Sequence, residues 1–235
     1  FIIDITDREL SEQRRREFSA NVSHELKTPL TSIMGYAEII SNGIAKQADI
    51  PRFSQEIYQG AAHLLALIDD IIKLSRLDEG DLKKQFTEVD LFAITKTVIN
   101  DLQKKAVAKN ISINLQATKT NVLGIDKMLY ELIYNLCDNA IIYNHDQGQI
   151  NLSITNDIKQ IILTIQDTGI GIAPKDQDRV FERFYRVDQS HSKDTGGTGL
   201  GLSIVKHIAT LHDAKIELQS KLNVGTTIKI IFKQI

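Results

Sequence analysis

The sequence predicts an α+β protein in which a helical hairpin completes a dimeric four-helix bundle and an α/β two-layer sandwich follows. Apolar side chains recur at helical spacing over residues 7–77. Residues 79–88 are largely polar and include a glycine, which favours a domain boundary there. Beyond that boundary, strands grouped in runs lie beside helices, which is the pattern of two packed layers.

The bulk composition limits the classes of protein to consider. A chain of 235 residues with 42% hydrophobic content can form one large domain or two modest ones. The net charge of −2 gives no reason to expect a nucleic-acid partner. Cys137 is the only cysteine, so no intramolecular disulfide can form. No apolar run approaches the roughly 18 residues that cross a bilayer, and no signal peptide opens the chain. We expect a soluble piece that meets a membrane only through segments outside this sequence.

The first long helix is predicted from Asp7 to about Asn42, with Thr6 or Asp7 as its N-cap and Gly43 as its stop. Its apolar side chains form an a/d seam, which is typical of a helix that packs against other helices. This seam consists of Leu26, Leu30, Ile33, Ala37, Ile40 and Ile44.

A second helix is predicted after a polar loop that contains Pro51, and it ends near Leu77. Its own a/d series consists of Ile57, Ala61, Leu64, Ile68 and Ile71. Two helices joined by a short loop form an antiparallel hairpin. Because one hairpin cannot bury two such apolar stripes, we expect a homodimer that completes a four-helix bundle.

One polar position of the first helix has unusual neighbours. At about 100° per residue, His24 lies about 200° from Leu26 and faces away from the seam. Glu25 follows it directly, and Thr28 lies one turn later on the same face as His24. Pro29 cannot donate a hydrogen bond to the carbonyl of Glu25, so a kink is expected within one turn of His24.

The rest of the chain alternates between helical and strand patterns. Helices are predicted at residues 91–108, 126–140 and 203–211. Strands are predicted at residues 111–116, 150–155, 161–166, 215–219 and 226–232. The other histidines show no metal-ligand spacing, and we expect surface or packing roles for them. They are His63, His145, His191, His207 and His212.

Two glycine-containing stretches indicate a nucleotide site. In Asp167-Thr-Gly-Ile-Gly-Ile-Ala-Pro174 the acid precedes the glycines and a proline follows them, which disfavours a Rossmann site. Gly196-Gly-Thr-Gly-Leu-Gly-Leu202 precedes a helix, and the absence of any GxxxxGK[ST] sequence excludes a P-loop. Gly199 and Gly201 would let backbone amides approach phosphate oxygens at the N-terminus of that helix.

Two asparagines point to the same chemistry. Asn135 and Asn139 are four residues apart on one predicted helical face, where amide oxygens can reach a magnesium ion.

The order of these motifs resembles a known family. His24-Glu-Leu-Lys-Thr-Pro29 resembles the phosphoacceptor motif of sensor histidine kinases from bacterial two-component systems. Asn135-Leu-Cys-Asp-Asn139 resembles the N box of the ATP fold shared by histidine kinases, gyrase, Hsp90 and MutL. The two glycine-containing stretches resemble its G1 and G2 boxes. Phe181-Glu-Arg-Phe-Tyr-Arg186 resembles the F box, and Gly225-Thr-Thr227 the last glycine box.

The resemblance implies a division of the chain. Residues 7–80 would form the dimerisation and histidine phosphotransfer domain, and residues 88–235 the catalytic ATP-binding domain of the gyrase, Hsp90 and histidine kinase type. Phe1–Thr6 reads as a short strand and resembles the end of a PAS sensor domain, so residues 1–6 would be the tail of an upstream sensor. The whole would be the cytoplasmic portion of a bacterial plasma-membrane sensor.

The resemblance also implies residue roles, with ATP and Mg²⁺ as cofactors. Asp167 would accept a hydrogen bond from the adenine amino group, Asn139 would hold magnesium with Asn135 in support, and Arg186 would face the γ-phosphate. Residues 173–198 would form a flexible lid. The implied nucleotide-binding residues are Asn135, Asn139, Tyr143, Asp167, Gly169, Gly171, Gly197, Thr198, Gly199, Leu200 and Gly201.

The implied activity is ATP-dependent autophosphorylation on His24, followed by phosphotransfer to an aspartate of a response regulator. Glu25 would orient the imidazole or accept its proton. Thr28 would serve a phosphatase activity towards the same regulator, because the pattern His-Glu-x-x-Thr is associated with that role.

Two other functions stay open at this point. Ile142 stands where many family members have a lysine or another polar residue, which favours a scaffold that binds nucleotide but scarcely transfers phosphate. An ATPase of the gyrase or Hsp90 kind is the second alternative, and the His24 helix argues against it.

Overall fold

The structure is a computed structural model, and it describes residues 6–77, 85–187 and 197–234. Two compact units divide the chain, one built from the two long helices and one from the remaining elements, with the division at Lys73 and Leu74. The predicted strand at residues 1–5, most of the predicted boundary and part of the predicted lid lie outside the described residues. His191 also lies outside them. Thr6, which the sequence placed at the end of that strand, is the first residue of a helix.

The first unit is a helical hairpin of α1 (Thr6–Ser41) and α2 (Ile50–Leu77). The rings of Tyr36 and Phe53 stack with their centroids 5.2 Å apart. Nearer the middle, a Cβ placed on Gly60 would lie 2.9 Å from Cγ1 of Ile33, so the helices approach closely there. These contacts run in opposite directions along the two helices, which confirms the predicted antiparallel hairpin.

The end of α1 is fixed by Gly43, as the sequence predicts. Gly43 adopts φ +67°, a backbone conformation that side-chain-bearing residues rarely adopt. Its amide donates to the carbonyl of Ile40, and the amide of Ile44 donates to the carbonyl of Ile39, both at 3.1 Å. This pair of hydrogen bonds is a Schellman motif, which satisfies carbonyls at the helix end and turns the chain towards α2.

An apolar surface is exposed along the hairpin. It includes Leu65, which is 62% exposed, and Met34, which is 64% exposed. The other exposed large apolar residues of the hairpin are Leu30, Ile44, Ile50, Tyr58, Ile68 and Ile72. Parts of both predicted seams are therefore available to another surface.

The second unit packs three helices on a five-stranded sheet whose strand order is β2-β4-β5-β7-β6. The β2 and β4 strands are parallel, and the other neighbours are antiparallel. The sheet strands are β2 (Ser112–Ala117), β4 (Gln149–Asp157), β5 (Gln160–Asp167), β6 (Lys215–Lys221) and β7 (Gly225–Lys233). The helices are α3 (Leu91–Ala108), α4 (Asp126–Ile142), the short α5 (Pro174–Gln177) and α6 (Gly201–Leu211). These bounds confirm the predicted two-layer sandwich, with element ends within about three residues of those predicted.

A two-stranded sheet and α5 were not predicted. β1 (Thr87–Asp90) pairs antiparallel with β3 (Asn121–Gly124). Immediately after β1, Asp90 caps α3, because its Oδ1 accepts from the amides of Phe92 and Ala93 at 3.0 and 3.2 Å.

The core lies between the long strands and the helices. Buried residues alternate along β4 and β5 with a period of two, so one face of the sheet points inward. The α4 helix packs against both α3 and α6 and covers the centre of that face. Within the described ranges, no helix combines the length and apolar content needed to span a membrane.

Candidate functional site

His24 projects from α1 with a side chain that is 80% exposed. Oε1 of Glu25 lies 3.8 Å from Nδ1 of the same imidazole, beyond hydrogen-bonding distance but within reach of a small rotamer change. Leu26 is half-buried, so the helix presents His24 on its solvent side, as the spacing predicts. The geometry leaves Nε2 as the nitrogen directed away from the carboxylate.

Hydroxyl groups bond to the helix backbone around Pro29. Thr28 Oγ1 donates to the carbonyl of His24 at 3.1 Å, and Thr31 Oγ1 donates to the carbonyl of Lys27 at 2.8 Å. Such hydrogen bonds to the carbonyl one turn earlier tend to bend a helix, and an internal proline does so too. The α1 helix nevertheless continues through Pro29 to Ser41, and the expected kink stays a prediction.

Asp167 forms the centre of the candidate base-binding site in the second unit. The amides of Gly169 and Thr226 donate to its Oδ1 at 2.8 and 3.2 Å. Burial raises the pKa of this carboxyl above its usual value, and the two amide hydrogen bonds oppose that shift. Both of these bonds end on Oδ1, so Oδ2 is the oxygen available to accept from a ligand's amino group.

The loop after Asp167 is interlocked with the turn between β6 and β7. A Cβ on Gly171, whose φ is +67°, would collide with the carbonyl oxygen of Lys221. A Cβ on Gly225 would collide with the carbonyl oxygen of Asp167. These glycines are therefore required by the close approach of two backbone segments, which is a structural reason independent of any ligand.

The end of α4 closes one side of the same site. Tyr143 caps α4, its ring is 40% exposed, and its carbonyl accepts from the amide of Ile170 at 3.0 Å. A Cβ on Gly169 would collide with that carbonyl oxygen. The structure thus places four of the predicted nucleotide-binding residues close together, namely Tyr143, Asp167, Gly169 and Gly171.

The N-terminus of α6 meets the asparagine face of α4. Asn135 Nδ2 donates to the carbonyl of Glu131 at 2.8 Å, and its amide oxygen lies beside Gly201 of α6. A Cβ on Gly201 would lie 2.9 Å from that Oδ1, so the small residue leaves space beside it. Asn139 is half-buried one turn later on α4. Amide oxygens are suitable magnesium ligands, and a helix N-terminus is suited to phosphate, so Asn135 and Asn139 would fit a magnesium ion that accompanies a phosphate group.

Arg186 lies near the other glycine of this stretch. Its Cγ would be 3.4 Å from a Cβ placed on Gly199, and the carbonyl of Gly199 accepts from the amide of Phe184 at 3.0 Å. Leu200, between Gly199 and Gly201, is fully buried. This part of the structure brings together Gly199, Gly201 and Arg186 beside Asn135.

The remaining predicted residues belong to the first unit. Gly197 and Thr198 fall in the first unit with the helical hairpin, as do His24, Glu25 and Thr28. No cluster of three or more His, Cys, Asp or Glu side chains suited to a metal ion occurs among the described residues.

Ile142, the one departure from the family pattern, ends α4. Lys109 Nζ donates to the carbonyl of Ile142 at 2.8 Å and to that of Ile141 at 3.3 Å. This contact places a positive charge at the C-terminus of α4, where it interacts favourably with the helix dipole.

Sequence reasoning missed several residues that shape the site. Tyr185 donates to the buried Asp176 at 2.7 Å, and the guanidinium of Arg179 lies 4.3 Å from the centre of the Tyr185 ring. Asn144 Nδ2 donates to the carbonyl of Gln149 at 3.2 Å, which ties the loop after α4 to β4. No sequence pattern relates these partners, except that Asp176 in the first turn after Pro174 suits a helix start.

Two protein-family models match this chain, one in each unit. Residues 14–80 match the His Kinase A (phospho-acceptor) domain, and residues 124–234 match the histidine kinase-, DNA gyrase B- and HSP90-like ATPase domain.

Relatives and solved structures agree with these matches. The chain is 39% identical over 229 residues to the phosphate regulon sensor protein PhoR of Pseudomonas aeruginosa, covering 95% of this chain and 51% of PhoR. The structure of the Acinetobacter baumannii histidine kinase AdeS aligns with a TM-score of 0.72 and 25% identity over 89% of this chain and 97% of that one. The histidine kinase ThkA, solved in complex with response regulator protein TrrA, aligns with a TM-score of 0.76 over 100% of this chain and 68% of that one. Its sequence identity is 20%, so this match shows the fold alone. The chain spans about half the length of the curated relatives it matches.

Proposed function

Because the chain belongs to the sensor histidine kinase family, we propose that it transfers the γ-phosphoryl group of ATP to His24 and then to an aspartate of a response regulator. The observation that supports this most is the exposed imidazole of His24 beside Glu25, within the residues that match the phosphoacceptor model. In the first step a bond forms between an imidazole nitrogen and phosphorus, and the bond from phosphorus to the leaving ADP oxygen breaks.

His24 Nε2 is the proposed nucleophile, since Glu25 faces Nδ1. Glu25 accepts the proton that Nδ1 carries, or orients the ring through it, as carboxylates do for catalytic histidines elsewhere. The nucleophile needs little covalent assistance, because phosphoryl transfer depends on in-line positioning and charge neutralisation.

ATP is the proposed nucleotide, held in the second unit. Asp167 Oδ2 accepts from the adenine amino group, and the N-terminus of α6 at Gly199 and Gly201 receives phosphate oxygens. Arg186 offsets negative charge at the γ-phosphate. We also assign Gly197, Thr198 and the backbone of Leu200 to nucleotide binding, on the resemblance of their stretch to the second glycine box.

Mg²⁺ would be held by Asn139, with Asn135 in support, and it would supply charge neutralisation between phosphate oxygens. The position of the Asn135 amide oxygen beside the N-terminus of α6 supports this assignment.

A homodimer is the proposed assembly, and a response regulator the proposed partner. The exposed apolar surface of α1 and α2 supports the dimer, because four such helices form a bundle. The fold shared with ThkA, which was solved with TrrA, supports a regulator partner. We propose residues 7–80 and 88–235 as the two functional domains of a longer, membrane-anchored sensor, of which this chain is the cytoplasmic portion.

A phosphatase activity towards the phosphorylated regulator is the second proposed function. Thr28 Oγ1 lies on the solvent side of α1 and is held one turn from His24, where its hydroxyl can orient an attacking water. The hydroxyl would act by positioning rather than as the nucleophile.

The experiment that tests the kinase proposal is incubation with ATP labelled in its γ-phosphoryl group. We expect label on the protein that is lost in acid and retained in alkali, and that disappears in His24→Gln but persists in His63→Gln, a histidine on α2 of the same hairpin. Nucleotide binding without label would instead support the scaffold, and free labelled phosphate without protein label would support an ATPase.

A further inference from the structure

A network of side-chain hydrogen bonds lies behind the candidate base-binding site. It joins the loop Asp167–Ala173, which we call the G1 loop, to the turn Ser220–Thr226, which we call the β6–β7 turn. Their backbones already touch at Gly171 and Gly225, and the amide of Asn223 donates to the carbonyl of Ile170 at 2.8 Å. A shift of either segment therefore moves the other.

Ser220 is placed at the centre of this network. Its Oγ accepts from the amide of Ile172 at 2.8 Å, lies 2.8 Å from Oγ1 of Thr226, and can donate to the carbonyl of Gly225 at 2.9 Å. The half-buried hydroxyl of Ser220 thus connects the G1 loop to Gly225 and Thr226. The amide of Thr226 is one of the two that donate to Asp167.

Gln177 joins the same two segments from α5. Its Nε2 donates to the carbonyl of Ile172 at 3.0 Å and to the carbonyl of Ser220 at 2.9 Å. Both amide hydrogens of one side chain are therefore used, one on the G1 loop and one on β6.

This network affects the orientation of the Asp167 carboxylate. Its Oδ1 is fixed by two amides, one from the G1 loop at Gly169 and one from the β6–β7 turn at Thr226. The orientation of Oδ2 then depends on the relative position of the two segments, which Ser220 and Gln177 maintain.

We propose that Ser220 and Gln177 are positioning residues for base recognition, which rests on the proposed role of Asp167 in binding adenine. They do not touch the nucleotide. They act by fixing the relative positions of the two amides, from Gly169 and Thr226, that donate to Asp167. Removing either side chain takes away part of the side-chain bridge between the two segments, and the carboxylate of Asp167 is then held less firmly in one direction.

The test compares the dissociation constants of ATP and of inosine triphosphate, which lacks the amino group that Asp167 would accept from. We expect Ser220→Ala to weaken ATP binding about three- to tenfold, and to leave inosine triphosphate binding little changed. A residue that acts only through general stability would weaken both nucleotides equally. Gln177→Glu keeps the size of the side chain but removes both donors, and we expect the same selective loss.

Three controls separate the outcomes. Ser220→Thr restores a hydroxyl and should restore the preference for ATP, while Ser112→Ala removes an exposed serine of β2 and should change nothing. The rate of autophosphorylation at saturating ATP should stay within about twofold in Ser220→Ala, since the reacting groups are untouched. An unchanged ATP preference in both Ser220→Ala and Gln177→Glu overturns this inference alone, whereas a wild-type chain that binds neither nucleotide overturns the proposed function as well.

Discussion

At the scale of one side chain, Thr28 is the residue that we expect to separate the two proposed reactions. Its hydroxyl donates to the backbone carbonyl of His24 at 3.1 Å, which holds it one helical turn from His24. Attack on ATP requires the imidazole and Glu25, whereas hydrolysis of a docked phosphoaspartate requires a group that orients water.

We therefore expect Thr28→Ala to keep autophosphorylation within about twofold and to slow dephosphorylation of the regulator at least about tenfold. Single-turnover assays with purified phosphorylated regulator measure the second rate. Thr31→Ala removes a similar back-bonded hydroxyl one turn further on and serves as the control. Equal loss of both activities in Thr28→Ala would indicate damaged helix geometry instead.

The carboxylate of Asp167 is proposed to bind adenine, but its burial makes the charged form unfavourable for stability. Because burial raises its pKa, the folded chain binds this proton more tightly than the unfolded chain does, and stability falls as pH rises through that window. Asp167→Asn keeps an acceptor for the amides of Gly169 and Thr226 but carries no charge.

We expect Asp167→Asn to melt at or above the wild-type temperature, with the difference growing from pH 4 to pH 7. ATP binding should weaken about 10- to 150-fold, as for the loss of a hydrogen bond to a charged group. Calorimetry measures both quantities. A variant that melts below wild type at neutral pH and binds ATP normally would contradict this account of Asp167.

Residues that belong to a contiguous motif could be predicted from the sequence. Residues that act through partners far away along the chain could not. Asp167 and its glycines stand together in the chain, so their motif is recognisable. Ser220 bonds to Ile172 across 48 positions, and neither residue lies in a pattern that indicates the other. Gly199 and Gly201 were predicted for approach to phosphate. Gly171 and Gly225 were assigned to glycine boxes only by resemblance, and the close approach of two backbone segments requires them.

At the scale of elements, His212 joins the end of α6 to the start of α4. Its Nε2 accepts from the amide of Ile125 at 3.1 Å, and its Nδ1 is 2.8 Å from the carbonyl of Ile208, which assigns the proton to Nδ1. The ring also stacks on Phe86 at 4.8 Å. A neutral imidazole fits these partners, whereas a protonated one would direct a second donor at the amide of Ile125.

Burial lowers the pKa of His212 below its usual 6.5, against smaller opposite effects of the Ile208 carbonyl and Asp213. Stability from the neutral ring is therefore present above pH 6.5 and is lost as pH falls through the folded pKa. We expect His212→Leu to lower the free energy of unfolding by about 1–3 kcal/mol at pH 7.5, because the Ile125 amide loses its partner.

Urea unfolding at pH 7.5 and pH 5 measures this effect. The difference between His212→Leu and wild type should shrink at the lower pH, while His145→Leu, at an exposed histidine, should show no such trend. A difference that stays constant with pH would show that His212 contributes by packing alone.

Long elements were predictable because their patterns are strong, and short ones were not. The seams of α1 and α2 extend over many turns, and β4 and β5 show regular alternation. The strands β1 and β3 have only four residues each, too few for a period to be recognised. The parallel pairing of β2 with β4 depends on the α4 crossover and has no signature within either strand.

At the scale of the whole molecule, the apolar surface of the hairpin supports the proposed dimer. Leu65 and Ile72 are exposed by 62% and 44% on α2. We expect Leu65→Lys with Ile72→Lys to bury unpaired charge in a four-helix bundle and to halve the mass measured by light scattering. Gln59→Lys adds a charge at an exposed polar position of α2 and should leave the mass unchanged. A double variant that keeps the wild-type mass would place the interface elsewhere.

The central claim is that His24 receives the phosphoryl group, and the most direct measurement is its location on the chain. After incubation with ATP and magnesium, the protein is digested at alkaline pH, where phosphohistidine survives, and the peptides are sequenced by mass spectrometry. The account predicts one added phosphoryl group on His24 and no modified peptide in His24→Gln. A phosphoryl group on any other residue, or an equally modified His24→Gln protein, would contradict it.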